Sequence, residues 1–297
     1  VAAPRKHHFI PAFYLRQWAG PDGMLIEWSR PHNKVVPIRR HPNATAFQHD
    51  LYTFQGLSPE SRQWFEQAFL KSTDDLASQA LARILAGQMS TLDDLRKSGW
   101  ARFLMTLRFR HPDVVSEIRD RIAILWKDHT VFTKREYERT RSASDPETFD
   151  EYLAQLAPDA NIRVQLDLLV AGMDNEQIGR DIVRMAWAVI DVSPASHRLL
   201  TSDWPVELSL GAKPPVVALP LSPTLLFVAS DDRRTLERTG DSDPDKLVAM
   251  MNAYVVGCAR RYVFSSDERQ KVFVHNRMSS RMAKPPFFPS LATAGLR

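Results

Sequence analysis

The spacing of apolar positions changes character along the chain, and each change predicts a different kind of element. Near the N-terminus the short runs "FYLRQWA", "MLIEWS" and "VVPIRR" are separated by turn signals at Pro21 to Gly23 and Pro31 to Lys34. This pattern predicts a small β-meander. Pro37 would remove a ladder donor from the third run, which places that strand at an edge. From Arg62 the period becomes helical: Phe65, Phe69, Leu76, Ala80 and Ile84 share one face, and Gly87 supplies a stop. Thr91 with Asp94 resembles a capping box for a second helix carrying Trp100, Phe103, Leu104 and Leu107, which should break or kink at His111-Pro112.

A third helix is predicted from the stripe Val114, Val115, Ile118, Ile122, Leu125 and Trp126, with Glu117, Arg119, Asp120, Arg121 and Lys127 on its other faces. Thr133 with Glu136, and Asp145 before Pro146, read as two more helix starts. Ile178, Ile182, Met185, Ala186, Val189 and Ile190 predict another long helix, capped by Asp174 or Asn175. After Pro194 come the β-like runs "HRLLTSD", "PVELSL", "PVVALPLS" and "TLLFVAS". Asp243-Pro244 then opens a helix with Leu247, Val248, Met251, Tyr254 and Val255 inward, followed by two strand-like pieces, "RRYVFSS" and "KVFVHN". The tail from Ala283 has no period.

Strands and helices are thus segregated rather than alternating, which predicts an α+β fold. The expected chain is a single domain: an N-terminal β segment (1–58), a large helical region (59–193), a C-terminal β/α segment (194–280) and a tail (281–297). The terminal strands are expected to share a mixed or antiparallel sheet, with the helical centre as an insertion.

Composition narrows this little. The 297 residues, 44% of them hydrophobic, suffice for a sizeable core. Lys and Arg exceed Asp and Glu by 39 to 35, an excess of +4 that a chain this long carries without a single-sign face. Charge alone therefore says little for nucleic acid as a partner. The single cysteine, Cys258, excludes an intrachain disulfide framework and is expected to be a buried, inert thiol. No apolar run approaches the roughly 20 residues of a membrane span, and no secretory leader pattern is present, so a cytoplasmic protein is expected.

Phosphate-cradling glycine loops, a zinc-binding H-E-x-x-H helix, an EF-hand and a G-x-S-x-G elbow are all absent from the sequence. His7 and His8 would face opposite sides of a strand, so at most one serves a given site. His8, beside a segment fixed by Pro11, is a candidate general base; the alternative is a structural or surface role. Asp50 precedes an aromatic run as a turn cap or a site carboxylate. In "LLTSDWPVEL" an apolar strand delivers Thr201, Ser202 and Asp203 to its end, where Trp204-Pro205 fixes the exit. Such groups are held as a site requires, or they close a turn. His197 lies about 20 Å along an extended strand from Asp203, too far for a local dyad. Asn252 interrupts an apolar helical stripe, as a satisfied core amide or a group aimed into a pocket. His275 and Asn276 end the last strand-like piece. The pairs Arg39-Arg40, Arg233-Arg234 and Arg260-Arg261 are expected on solvated faces. Trp64, Trp100, Trp126 and Trp187 are expected in the core.

Taken in order, "HHFIPAFYLRQWA", "DLYTF", "LLTSDWPVEL", "PLSP" and a helix with Asn252 resemble the mainly bacterial domain-of-unknown-function family 4238 from about His7 to about Asn276. The resemblance implies no reaction. It implies that His8, Pro11, Tyr14, Leu15, Asp50, Tyr52, Ser202, Asp203, Pro205 and Asn252 occupy motif positions, with Trp204 standing where an asparagine-like residue is usual.

Two functions follow as expectations. In one the chain is a hydrolase of nuclease type, in a defence or toxin context. His8 is then base or ligand, Asp50 and Asp203 are the carboxylates, Ser202 and Asn252 lie at the site, and a divalent metal is the candidate cofactor on a nucleic-acid substrate. In the other it is a non-enzymatic binding or regulatory module, and the His-x-x-Pro and Ser-Asp-x-Pro segments pin adjacent strands.

Overall fold

The computed structural model describes residues 6–52, 65, 69–149, 151–152 and 160–281, the side chains of 122–133 and 160–164 excepted. A short strand, β1 (Lys6–His8), leads through Pro11 into helix α1 (Ala12–Leu15). The first segment of the expected meander is therefore helical. Its three largest inward residues explain this: Tyr14, Leu15 and Trp18 are fully buried together, which the three-to-four spacing of a helical turn allows and a strand does not. β2 (Leu25–Ser29) and β3 (Val36–Arg40) form the remaining hairpin, with Pro37 on the outer strand, and β4 (Phe47–His49) returns to pair with β1.

The middle holds α2 (Lys71–Leu85), α3 (Asp94–Phe109), α4 (Pro112–Thr140), α5 (Ala160–Met173) and α6 (Glu176–Arg184). Gly87 ends the first of these in the left-handed region at φ 71°, and its N–H and that of Gln88 close onto the carbonyls of Ile84 and Arg83. The cap of α3 is Asp93 rather than Thr91, its carboxylate accepting the Arg96 N–H at 2.9 Å. α3 and α4 meet at His111-Pro112 as expected. No restart occurs at Thr133, because a run already helical keeps its ladder through a cap-like pair. The next cap is Thr148 rather than Asp145, with Glu151 closing a capping box around it. Asn175 caps α6 by accepting the Ile178 N–H. α2 and α3 approach closely at Gly99, where an added Cβ would stand 2.6 Å from Leu76 Cβ.

The long helix expected through Ile190 stops at Arg184, and its second half is strand β5 (Ala186–Asp191). A short apolar run does not distinguish the two periods, and the β-branched pair Val189-Ile190 follows the pleat. The four β-like runs then appear as β6 (Thr201–Ser202), β7 (Glu207–Ser209), β8 (Val216–Pro220) and β9 (Leu225–Ser230). α7 (Arg233–Gly240) buries only Leu236 and so carries too few apolar positions to show a period. α8 (Pro244–Cys258) begins at the expected Asp243 cap, and β10 (Val263–Ser265) follows it. "KVFVHN" is helix α9 (Lys271–Arg277), not a strand: its alternation is superficial, since Val274 and Met278, four apart, are the residues that reach the core.

Among the described residues every strand ladder is antiparallel: β1–β4, β3–β2–β10–β6 and β5–β9–β8–β7. The N- and C-terminal strands share a sheet, with Trp28 opposite Val263. The sheet β5–β9–β8–β7 is covered on both faces. Val217, Leu219, Phe227 and Ala229 join one apolar cluster with Trp100, Phe103, Leu104 and Leu107 of α3. Ala218, Leu226 and Val228 join a second with Ile26, Trp28, Val263 and the α8 residues Leu247, Val248, Met251 and Val255. Burial on both sides is why these strands read as unbroken apolar runs. No helix among the described residues is long and apolar enough to cross a membrane. Trp64, the side chain of Trp126, the start of the first long helix at Arg62 and the tail from Ala283 lie outside the described residues.

Candidate functional site

The segment Arg198 to Asp203 is a seam, because groups from the N-terminal, middle and C-terminal segments fasten onto its backbone and side chains. Trp18 Nε1 donates to the Leu199 carbonyl at 2.9 Å. Tyr14 Oη donates to the Pro220 carbonyl (2.8 Å) and so accepts from Thr201 Oγ1 (2.7 Å), tying the aromatic opening motif to β6 and β8. Asn252 accepts the Leu200 N–H at 2.8 Å and donates to the Arg198 carbonyl at 2.9 Å and to Gln270 Oε1 at 3.1 Å. It is a satisfied core amide, which removes the cost of placing it in an apolar stripe. Ser202 Oγ accepts the Trp204 N–H at 3.1 Å and closes the turn before Pro205.

Asp203, with 0% exposure, is the centre of this arrangement. Its Oδ1 accepts the Arg260 N–H at 2.9 Å, and its Oδ2 accepts those of Arg261 at 2.6 Å and Tyr262 at 3.1 Å. The carboxylate thereby organises the tight passage from α8 into β10. A fourth donor is His111, whose Nε2 lies 3.3 Å from Oδ2. His111 Nδ1 accepts the Asp113 N–H at 3.2 Å, so the hydrogen-bond network assigns the ring proton to Nε2, facing Asp203. Both ring nitrogens are committed, and Phe9 and Trp204 pack edge-on to the imidazole.

Charge is balanced around this core by an outer ring of ion pairs. Asp113 binds Arg260 Nη1 at 3.2 Å and Arg261 Nη2 at 2.9 Å. Burial pushes its carboxyl up, but His111, Arg261 and Arg260 together outweigh that and hold it below the usual range. The guanidinium groups of Arg260 and Arg108 lie 4.3 and 4.6 Å from the Trp204 ring centroid. Two cations thus pack against the Trp204 ring. Arg110, 1% exposed, makes a two-pronged bond to Asp74 at 3.0 and 3.2 Å, and its carbonyl accepts Tyr52 Oη.

The two opening histidines face opposite ways, as strand geometry requires. His7 is buried, stacked on Tyr52, with Nδ1 accepting the Tyr52 N–H at 3.2 Å. His8 is half-buried on the outer face, with Nε2 3.3 Å from the Asn43 carbonyl. Burial lowers its pKa, assisted by Lys6 and Arg110 and opposed by the Asn43 carbonyl and Asp74. Asp50 occupies the left-handed region (φ 56°) in the turn after β4. His275 and Asn276 are exposed on α9. Among the described residues, Asp203 takes its imidazole partner from His111 rather than His8, and no group of three His, Cys, Asp or Glu side chains is placed to hold a metal ion. Cys258 is buried, and its thiol is pushed up by that burial.

Comparison with known proteins bears on this seam up to residue 269. The family described as "Protein of unknown function (DUF4238)" matches residues 6–269. The chain belongs to DUF4238. No curated protein and no solved structure matches it. Sequence reasoning marks only part of the seam: Arg108, Arg110, His111, Asp113, Arg260 and Gln270 are not among its candidate residues. The run Arg108-Phe109-Arg110-His111-Pro112-Asp113, four polar side chains at a helix junction between two apolar stripes, is the signal that could have found them. Arg260-Arg261 is a partial correction, since Arg260 is 8% exposed beneath Trp204 while Arg261 is 42% exposed.

Proposed function

We infer that this DUF4238 chain is a binding or regulatory module, and that its motifs are fasteners rather than catalytic groups. The observation that carries the reading is the saturation of Asp203: both oxygens are taken by three backbone N–H groups and one imidazole, in a fully buried position. Oδ2 takes three of those donors and Oδ1 the fourth, and at 0% exposure neither oxygen is open to solvent. His111 has no free ring nitrogen with which to move a proton, and Asn252 and Ser202 are spent on backbone. The chemistry such a set can perform is to hold a turn in place.

The test is a cleavage assay of RNA and DNA with and without divalent metal, run with melting temperatures for Asp203→Asn and His8→Ala. The module reading expects no turnover that these substitutions remove, and a lowered melting temperature for Asp203→Asn. Metal-dependent cleavage abolished in either variant at unchanged melting temperature would instead support the hydrolase of nuclease type, with His8 as base or ligand and Asp50 and Asp203 as its carboxylates.

A further inference from the structure

On the ribbon of β1 and β4 the register sets Lys6 opposite His49 and His8 opposite Phe47, and residues directly opposed in an antiparallel pair share a face. His7 and Gln48, between them, turn to the other side. The outer face therefore interleaves cations and rings. The Lys6 ammonium lies 4.0 Å from the Phe47 centroid, with the His8 and His49 rings at 5.7 and 5.4 Å. Beside the ribbon, Lys6 Nζ and His8 Nε2 both meet the Asn43 carbonyl, and Arg16 Nη2 lies 3.5 Å from Asn43 Oδ1. His41 Nδ1 accepts the Asn43 N–H. Lys6, Arg16, His41, Asn43 and His49 are exposed.

The two charged groups, Lys6 and Arg16, end on neutral amide oxygens. Elsewhere Arg39 pairs with Asp22 and Arg40 with Glu27, whereas Arg30 and Arg198, like Arg16, end on neutral oxygens. Among the described residues no ion pair involves Lys6 or Arg16. Asp50 follows His49 in the chain, and Asp74, which acts on His8, is held by Arg110. Two cations without an ion pair among the described residues, one of them over the half-buried Phe47 ring, fit a ligand that brings anionic oxygens and flat rings together. Charge-assisted bonds to phosphate would exceed the amide bonds they replace, and bases stack on exposed rings only when they are unpaired.

We propose that the outer face of the β1–β4 ribbon binds single-stranded nucleic acid, with Phe47 as stacking platform and Lys6, Arg16, His8 and His49 as phosphate partners. This deepens the module reading above and rests on it. The two fail separately: cleavage of a bound strand sinks the module and leaves the surface, whereas absence of binding sinks the surface alone.

The experiment is anisotropy titration of the full chain with short single-stranded RNA and DNA, a duplex and anionic-lipid vesicles over a range of salt. Lys6→Glu/Arg16→Glu should weaken single-strand binding by about tenfold or more and flatten the slope of log K against log salt by about 2, one for each phosphate no longer neutralised. Phe47→Ala should cost on the order of 5- to 100-fold on single strands and leave any residual duplex binding unchanged. Lys6→Gln/Arg16→Gln should give the same ordering with a smaller loss. Arg233→Glu/Arg234→Glu, on the exposed start of α7, should have little effect. The proposal is overturned by no single-strand binding at low salt, by an equal loss in the α7 variant, or by duplex or vesicle binding as tight as that of single strands.

Discussion

Removing the Asp203 carboxylate tests the seam most directly. In Asp203→Ala three backbone N–H groups, on Arg260, Arg261 and Tyr262, lose their acceptor in a part-buried turn, and the buried His111 loses the partner of its Nε2 proton. A hydrogen bond to a charged group contributes about 1.5–3 kcal/mol, and each donor left buried and unsatisfied costs about 1–3 kcal/mol. The four are not additive, because the turn relaxes as one unit. The expected loss is that of breaking a buried charged network, about 3–5 kcal/mol. Asp203→Asn is milder and its geometry is specified. The amide oxygen takes the place of Oδ2, where three donors converge, and the NH2 group is left facing the Arg260 N–H. That single donor–donor conflict costs about 1–3 kcal/mol. Urea unfolding followed by circular dichroism should order the proteins as wild type, Asn, Ala. At about 2–4 °C per kcal/mol the alanine variant should melt on the order of 10 °C lower. Hydrogen exchange should speed up first at the amides of residues 260–262. An alanine variant within about 0.5 kcal/mol of wild type, the range of an inert surface change, would refute the reasoning.

Other substitutions probe separate parts of the argument. Two helical glycines should respond to alanine with opposite signs: Gly99→Ala pushes a methyl against Leu76 Cβ and should destabilise by about 1–3 kcal/mol. Gly179→Ala meets only Met105 Cε at 3.5 Å and should stabilise by up to about 1 kcal/mol; equal effects in urea titrations would discredit the α2–α3 approach. Asn252→Leu strands the Leu200 N–H and Gln270 Oε1 and should cost about 2–4 kcal/mol by the same assay. The folded pKa of His8 lies below the ordinary imidazole value of 6.5, so its contribution is fully present above pH 6.5 and is lost as pH falls through the folded value. Urea midpoints of wild type should therefore drop between neutral pH and pH 5 more than those of His8→Gln; parallel curves would count against that burial.

What was legible in the sequence was what local chemistry decides. Gly87, Asn175 and Asp243 act on backbone within a few residues, so their roles as stop and caps follow from their neighbours. Pro37 needed only its missing N–H to be placed at an edge. The α6–β5 transition was not legible, because helix and strand compete over a short apolar run and the pairing of β5 with β9 decides it. Within the candidate site, Asp203 was marked by standing at a strand end. Its partner was not, since His111 is 92 residues away and nothing near it in sequence reports what it faces. The expectation that His8 would be the imidazole of interest rested on proximity to Pro11, a property of the segment and not of its surroundings. Arg260 reads as solvated because two adjacent arginines usually are; Trp204, packed over it, reverses that for one of the pair.

The pairing of β2 with β10 sets a clock on synthesis. Trp28 leaves the ribosome long before Val263, its cross-strand neighbour, exists. At about 5–20 residues per second the hairpin β2–β3 waits on the order of 10–50 s with one long edge unpaired. The β2–β3 hairpin is consequently a nascent-chain liability until the last sheet strand arrives, and truncation before β10 should leave the second edge of β2 unpaired. Ribosome-bound chains stalled before that point should remain protease-sensitive throughout residues 25–40, and acquire protection in one step once β10 clears the exit tunnel.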